Sequence, residues 1–185
     1  MLCRVEMPAN EQIYGRFYRY RLFHGVGSNK MMMLLLPIVV IVAVAMMLGA
    51  GTTQTNLLIS GALVLLVIAY FGYSLYYKPL QMFRKRSGAA MMTEVTILTE
   101  NGLNRTVKSE EGGPPETNSV QYSALHHAVE TGKDFYLFTA PTQAYLLDKE
   151  FFTKGDPAEL RTALEAKMGV KFHYPGKKKP PKKKK

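Results

Sequence analysis

The chain has 185 residues, 24 Lys plus Arg against 14 Asp plus Glu, and an apolar share of 47%. That length and apolar content limit it to one or two compact domains and exclude a wholly disordered protein. With Cys3 as the sole cysteine no intrachain disulfide can form, and neither it nor the 4 histidines fall at zinc-site spacings.

Charge is distributed unevenly. Residues 1–30 carry 5 basic and 2 acidic groups, residues 78–86 carry 4 basic and none acidic, and residues 176–185 hold 7 lysines. Residues 87–175 hold 8 basic and 12 acidic groups, so the net +10 belongs to the flanks and the longest soluble segment is mildly acidic. A nucleic-acid-binding domain would carry a basic face instead.

In chain order, residues 1–30 read as a cytoplasmic N-terminal arm. Within it Ile13, Phe17 and Tyr20, with Tyr14 and Tyr18, recur at spacings of three and four among Arg16, Arg19 and Arg21, which predicts an interfacial helix. Residues 31–77 follow without a single charge. Residues 31–50, broken only by Pro37, would reach about 30 Å as a helix, the thickness of a bilayer core, and residues 57–77 supply a second span. Gly51 and Asn56 mark the turn between them, so the expectation is a two-helix transmembrane hairpin. Two adjacent runs of this length fit neither a buried helix of a soluble protein nor a signal peptide.

Arg16, Arg19, Arg21 and Lys30 precede the hairpin, and Lys78, Arg84, Lys85 and Arg86 follow it, in a basic juxtamembrane segment at 78–86. The positive-inside rule then places both termini in the cytoplasm of a multi-pass protein of the cell membrane. Tyr70, Tyr73, Tyr76 and Tyr77 crowd the end of the second span, where aromatic rings anchor a helix at the headgroups. Neither span holds an ionisable residue, which argues against a transporter or channel.

From residue 87 the apolar period becomes two, the pattern of strands. Six short strands are expected: one around Val95, Ile97 and Thr99, a return from Leu103 to Lys108, then stretches at 120–122, 125–129, 135–139 and 143–147. Asn101-Gly102 offers the positive φ angles of a tight hairpin, and residues 110–118, with Gly112-Gly113-Pro114-Pro115, read as a mobile loop. Asp156 as cap, Pro157 in the first turn, Glu159 and a stop at Gly169 predict a terminal helix with Leu160, Leu164 and Met168 on one face. The fold class is therefore α+β: a membrane hairpin followed by a small antiparallel β domain at 87–175, closed by a helix.

Two membrane helices, the hairpin Thr99-Glu100-Asn101-Gly102-Leu103, and Leu147-Asp148-Lys149-Glu150-Phe151-Phe152 leading to a terminal helix together resemble the YcxB-like family of bacterial membrane proteins, over residues 31–174. The resemblance implies a pleckstrin-homology-like cytoplasmic domain and carries no catalytic residue.

No nucleophile, zinc or P-loop motif occurs. Gly25-Val26-Gly27 lacks the third glycine of a dinucleotide loop and reads as a linker. His126 and His127, adjacent on a strand, are expected to point to opposite faces, which defeats a paired-ligand reading. The tail at 176–185 cannot fold, and Lys177, Lys178, Lys179, Lys182, Lys183, Lys184 and Lys185 are expected to grip the anionic inner leaflet along with the eight basic residues flanking the hairpin. The function expected is a membrane-anchored binding or scaffold module that docks a protein partner or anionic lipid headgroups, with no enzymatic activity, cofactor or metal. A membrane enzyme with a site between the domain and the bilayer is the alternative.

Overall fold

The computed structural model of the chain describes residues 1–24, 37–45, 48, 54–87, 92–109 and 114–175. It is α+β, and it divides into two compact units: Met1–Ile13 with the residues from Ser87 onward, and Tyr14–Arg86. The division differs from the expected one, because the first residues of the arm belong to the β domain.

Strand β1, Cys3–Pro8, alternates buried Cys3, Val5 and Met7 with half-exposed Arg4 and Glu6, the period of two that a sheet imposes. It lies inside a five-stranded sheet between β2, Met92–Leu98, and β8, Phe152–Lys154, with β3, Gly102–Ser109, and β4, Glu116–Gln121, beyond β2. All of these pairs are antiparallel. A second sheet has the order β7-β6-β5-β9, formed by Gln143–Asp148, Asp134–Ala140, His127–Glu130 and Phe172–His173. Its β5–β9 pair is parallel, so the domain is not wholly antiparallel. The six expected strands are β2 to β7; β1, β8 and β9 are additional.

One core takes Cys3, Val5, Leu98 and Leu103 from the first sheet and Ala128, Phe135, Leu137, Leu147 and Phe172 from the second. Helix α5, Pro157–Met168, adds Leu160, Leu164 and Met168, as their spacing predicts. Asp156 caps this helix by accepting from Ala158 N at 2.7 Å.

Three local expectations change. In β2 Val95, Thr96 and Leu98 are all buried, whereas Ile97 is half-exposed. At the β2–β3 turn no residue has positive φ. Thr99 N instead donates to Gly102 O at 2.8 Å, and Gly102 is needed because a Cβ there would strike Val120 O and the Gln121 backbone. Residues 116–118, expected in a loop, are strand, since β4 pairs with β3 from Val107↔Glu116 to Gly102↔Gln121.

Helix α1, whose residues from Tyr14 onward open the other unit, spans Glu11–His24 and starts at Asn10, whose Oδ1 accepts from Gln12 N at 2.8 Å. Its Ile13, Phe17, Tyr18 and Leu22 are buried, and its exposed residues are Glu11, Gln12, Phe23 and His24. Residues 37–45 (α2) are helical. Helix α3, Gln54–Gly72, continues through a π-helical turn at Tyr73–Tyr77 into α4, Lys78–Ser87. Within that rod Leu58–Lys85, 28 residues, is long and apolar enough to cross a membrane. It is the one such helix among the described residues, so the first span of the expected hairpin, 31–50, is not observed as a membrane-length helix, and half of it lies outside them.

Candidate functional site

The basic residues expected at a lipid surface occupy two helices. Arg16, Arg19 and Arg21 lie on α1, and Lys78, Arg84, Lys85 and Arg86 on α4. The helices meet where the Tyr14 and Phe83 rings lie 5.9 Å apart, so the charges before and after the apolar segment sit on neighbouring elements. Lys78, Arg84 and Lys85 are exposed. Lys30 and the tail lysines Lys177, Lys178, Lys179, Lys182, Lys183, Lys184 and Lys185 lie outside the described residues. The Tyr73 and Tyr77 rings lie 5.3 Å apart, tilted at 36°, on the π turn, and Tyr70, Tyr73, Tyr76 and Tyr77 are all exposed.

Length explains this placement. At about 1.5 Å per residue a 28-residue helix reaches about 42 Å, more than a hydrocarbon core of about 30 Å. Residues 58–77 alone match that thickness, and Lys78, Arg84 and Lys85 follow them on the same continuous helical run. Along the apolar part Leu58, Ile59, Leu65, Leu66 and Ile68 are exposed, a band of a kind that soluble surfaces rarely carry. The buried positions on α2 and α3 include two small residues, Ala43 and Ser60.

In the β domain, polar groups concentrate at Glu130, where sequence pattern gave no signal. Its side chain is 1% exposed and accepts from Lys149 Nζ at 2.7 Å, Arg161 Nε at 2.6 Å and Arg161 Nη2 at 2.5 Å. Burial pushes its carboxyl up, but the hydrogen bonds from Arg161 and Lys149 outweigh that and hold it below the usual carboxylate range. Lys149 also donates to Thr131 O and Gly132 O, and Arg161 lies over the Tyr174 ring. The cluster therefore ties α5 to the β5–β6 turn and to the residue after β7, which is a structural tie rather than a reactive site.

His126 and His127 do not point apart. His126 sits in a bend ahead of β5, so the alternation of a strand does not apply to it, and the two Nδ1 atoms lie 2.7 Å apart. The His127 ring stacks on Phe138 at 4.1 Å. Burial, then the neighbouring His126 and His173, lower the His127 pKa. Tyr122, buried with its hydroxyl donating to Thr99 O at 3.1 Å, is pushed up to about 12 by burial and by Cys3. Burial, with Glu159 and Asp156 close by, also raises the Cys3 thiol. Such a tyrosine and thiol stay protonated at neutral pH, so neither is poised as base or nucleophile. Among the described residues no three His, Cys, Asp or Glu side chains converge as metal ligands.

Residues 98–164 match the family model described as YcxB-like protein. The match runs from the last residue of β2 to Leu164 on α5, and thus takes in the β3–β8 core and most of the closing helix. No curated protein and no solved structure matches the chain.

Proposed function

We propose that the chain is a membrane-anchored module of the YcxB-like kind, in which a transmembrane hairpin formed by 31–50 and 57–77 holds a pleckstrin-homology-like domain at the cytoplasmic face. The domain docks a protein partner, and the basic residues on α1, α4 and the tail engage anionic headgroups. One observation carries this reading. β1, which precedes the apolar region, is hydrogen-bonded along its length to β2, which follows it. Strands cannot pair across a bilayer, because a hydrocarbon core tolerates no unpaired backbone, so both flanks of the apolar region must share one aqueous compartment. A single crossing by Leu58–Lys85 would separate them. A second crossing restores the pairing, and residues 31–50 are the uncharged stretch able to supply it.

The exposed apolar face of residues 37–45 and the burial of small Ala43 and Ser60 support two spans, since small residues let membrane helices approach closely. Lys and Arg on both flanks and none in the turn give the direction.

The test is sidedness in sealed cells, using the Cys3→Ser chain with Thr53→Cys in the turn and, separately, a cysteine added after Lys185. An impermeant maleimide should label position 53 from outside and spare the tail. External labelling of the tail, or protection of position 53 with the tail labelled, would refute the orientation. Crosslinking in the intact membrane from positions on the β domain, followed by mass spectrometry, should recover a discrete protein neighbour.

A further inference from the structure

The place where β1 lies is built as a receptacle. On one side it pairs with β2 from Cys3↔Leu98 to Pro8↔Thr93, and on the other with β8 at Arg4↔Lys154 and Val5↔Phe152. Leu2 N donates to Leu98 O at 2.8 Å, and Thr153 Oγ1 donates to Arg4 O at 3.1 Å. Gly155, with φ of 80°, passes so close that a Cβ would strike Leu2 O and Cys3. Below the strand the side chains of Cys3 and Val5 fill the core beside Leu98 and Phe152. The slot thus selects an extended segment with compact apolar residues at alternate positions, and without one it would leave two strand edges and an apolar floor open.

The occupant reaches this slot by an unusual route. Ala9 N donates to Met92 O at 2.7 Å, so residues 9–91, which contain every apolar helix, leave and rejoin the sheet at one point. The membrane segment is topologically the connection of a β-hairpin. Whether β1 can enter then depends on how many times that connection crosses the bilayer.

We infer that the slot between β2 and β8 is a strand-receiving site that the chain's own residues 3–8 fill only when the segment 9–91 crosses the membrane an even number of times, so that the β domain completes itself as a check on correct insertion. This rests on the hairpin proposed above. A chain halted with one span inserted would hold β1 on the wrong side and show an open slot in the cytoplasm.

Cys3 supplies the readout, being the sole cysteine and fully buried in β1. The full chain, a chain lacking 31–50 and a chain lacking 31–77 would be expressed with a C-terminal tag, giving two, one and no crossings. Each would be treated with a membrane-permeant maleimide before and after denaturation, in isolated membranes for the two chains that keep a span and in the soluble fraction for the chain lacking 31–77, and the sidedness of both ends of the spanning chains mapped by protease in sealed vesicles. Cys3 should be protected in the chains with two and no crossings and labelled at about the denatured rate in the chain with one. Val5→Asp in the full chain should expose Cys3 without altering sidedness. Protection in the single-span chain with its ends on opposite faces, or labelling of the zero-crossing chain, would overturn the inference. If the ends of the full chain map to opposite faces, the hairpin itself fails, whatever the labelling.

Discussion

Glu130 is the side chain whose removal should cost the β domain most for its size. Glu130→Ala deletes a carboxylate that is 1% exposed and leaves its two partners behind, Lys149 at 20% and Arg161 at 45% exposure. Breaking a buried pair costs about 3–5 kcal/mol, mostly for the charge left stranded. Here the stranded groups are cations that can rehydrate, and Lys149 keeps its bonds to Thr131 O and Gly132 O, so the lower end, about 3 kcal/mol, is expected. Arg161→Ala leaves Glu130 with Lys149 and should cost about 2 kcal/mol, the worth of hydrogen bonds to a charged group. For a domain of this size each kcal/mol lowers the melting temperature by about 4–8 °C, so Glu130→Ala should melt more than about 10 °C lower. The carboxyl is held below its unfolded value of about 4.3. Its contribution is therefore complete above that pH and is lost as pH falls through the lower folded value, and Glu130→Gln should lack this acid limb. The assay is thermal unfolding of the detergent-solubilised full chain, with Cys3 labelling reporting the domain. A Glu130→Ala protein that melts with the wild type would show that the cluster does not hold α5 in place.

Three further changes separate the domain's supports. Leu160→Asp with Leu164→Asp places two charges where both side chains are fully buried; each lost leucine alone is worth about 1.5–3 kcal/mol, so the pair should exhaust a net stability of about 5–15 kcal/mol and expose Cys3 to maleimide at 25 °C. Gly155→Ala forces a Cβ into the left-handed region and against the Leu2 and Cys3 backbone, costing at least about 1–2 kcal/mol, and should speed Cys3 labelling while thermal melting stays cooperative. His127, whose pKa is lowered by burial and by His126 and His173, contributes stability that is complete above the unfolded value of about 6.5 and is lost as pH falls below it. His127→Phe keeps the ring on Phe138 and should flatten the melting temperature between pH 7 and pH 5; an unchanged slope would place the titration elsewhere.

Local signals were legible where local physics decides the outcome. Helix α5 follows from its cap, its proline and three apolar residues four apart, and strands β2, β3, β5, β6 and β7 follow from alternation between turn residues, whereas the first half of β4 reads as loop. Contacts set by tertiary partners were not. Val95 and Ile97 are the more apolar pair in β2, and Val95 is buried, yet Ile97 is half-exposed while Leu98, opposite Cys3 and Leu103, enters the core. The Glu130 cluster joins residues 19 and 31 positions apart, and no single window of sequence contains it. β9 is two residues long, too short to register a period. The histidine pair was misread because a bend begins one residue before the strand does.

The strand β1 is the most informative of these misses. Its alternation is plain in Cys3-Arg4-Val5-Glu6-Met7, but six residues next to an aromatic, arginine-rich helix read as part of that helix's arm when their partner lies beyond the membrane segment. Charge counting and strand pairing constrain the topology in different ways. On the proposed reading the basic flanks set which face of a bilayer the chain's ends prefer, and would do so equally for separate, unpaired ends. The β1–β2 ladder is indifferent to which face, but it admits only an even number of crossings between Pro8 and Met92. On the topology proposed above the helix at Leu58–Lys85 makes one crossing, and the uncharged run at 31–50 is the segment with the length for a second.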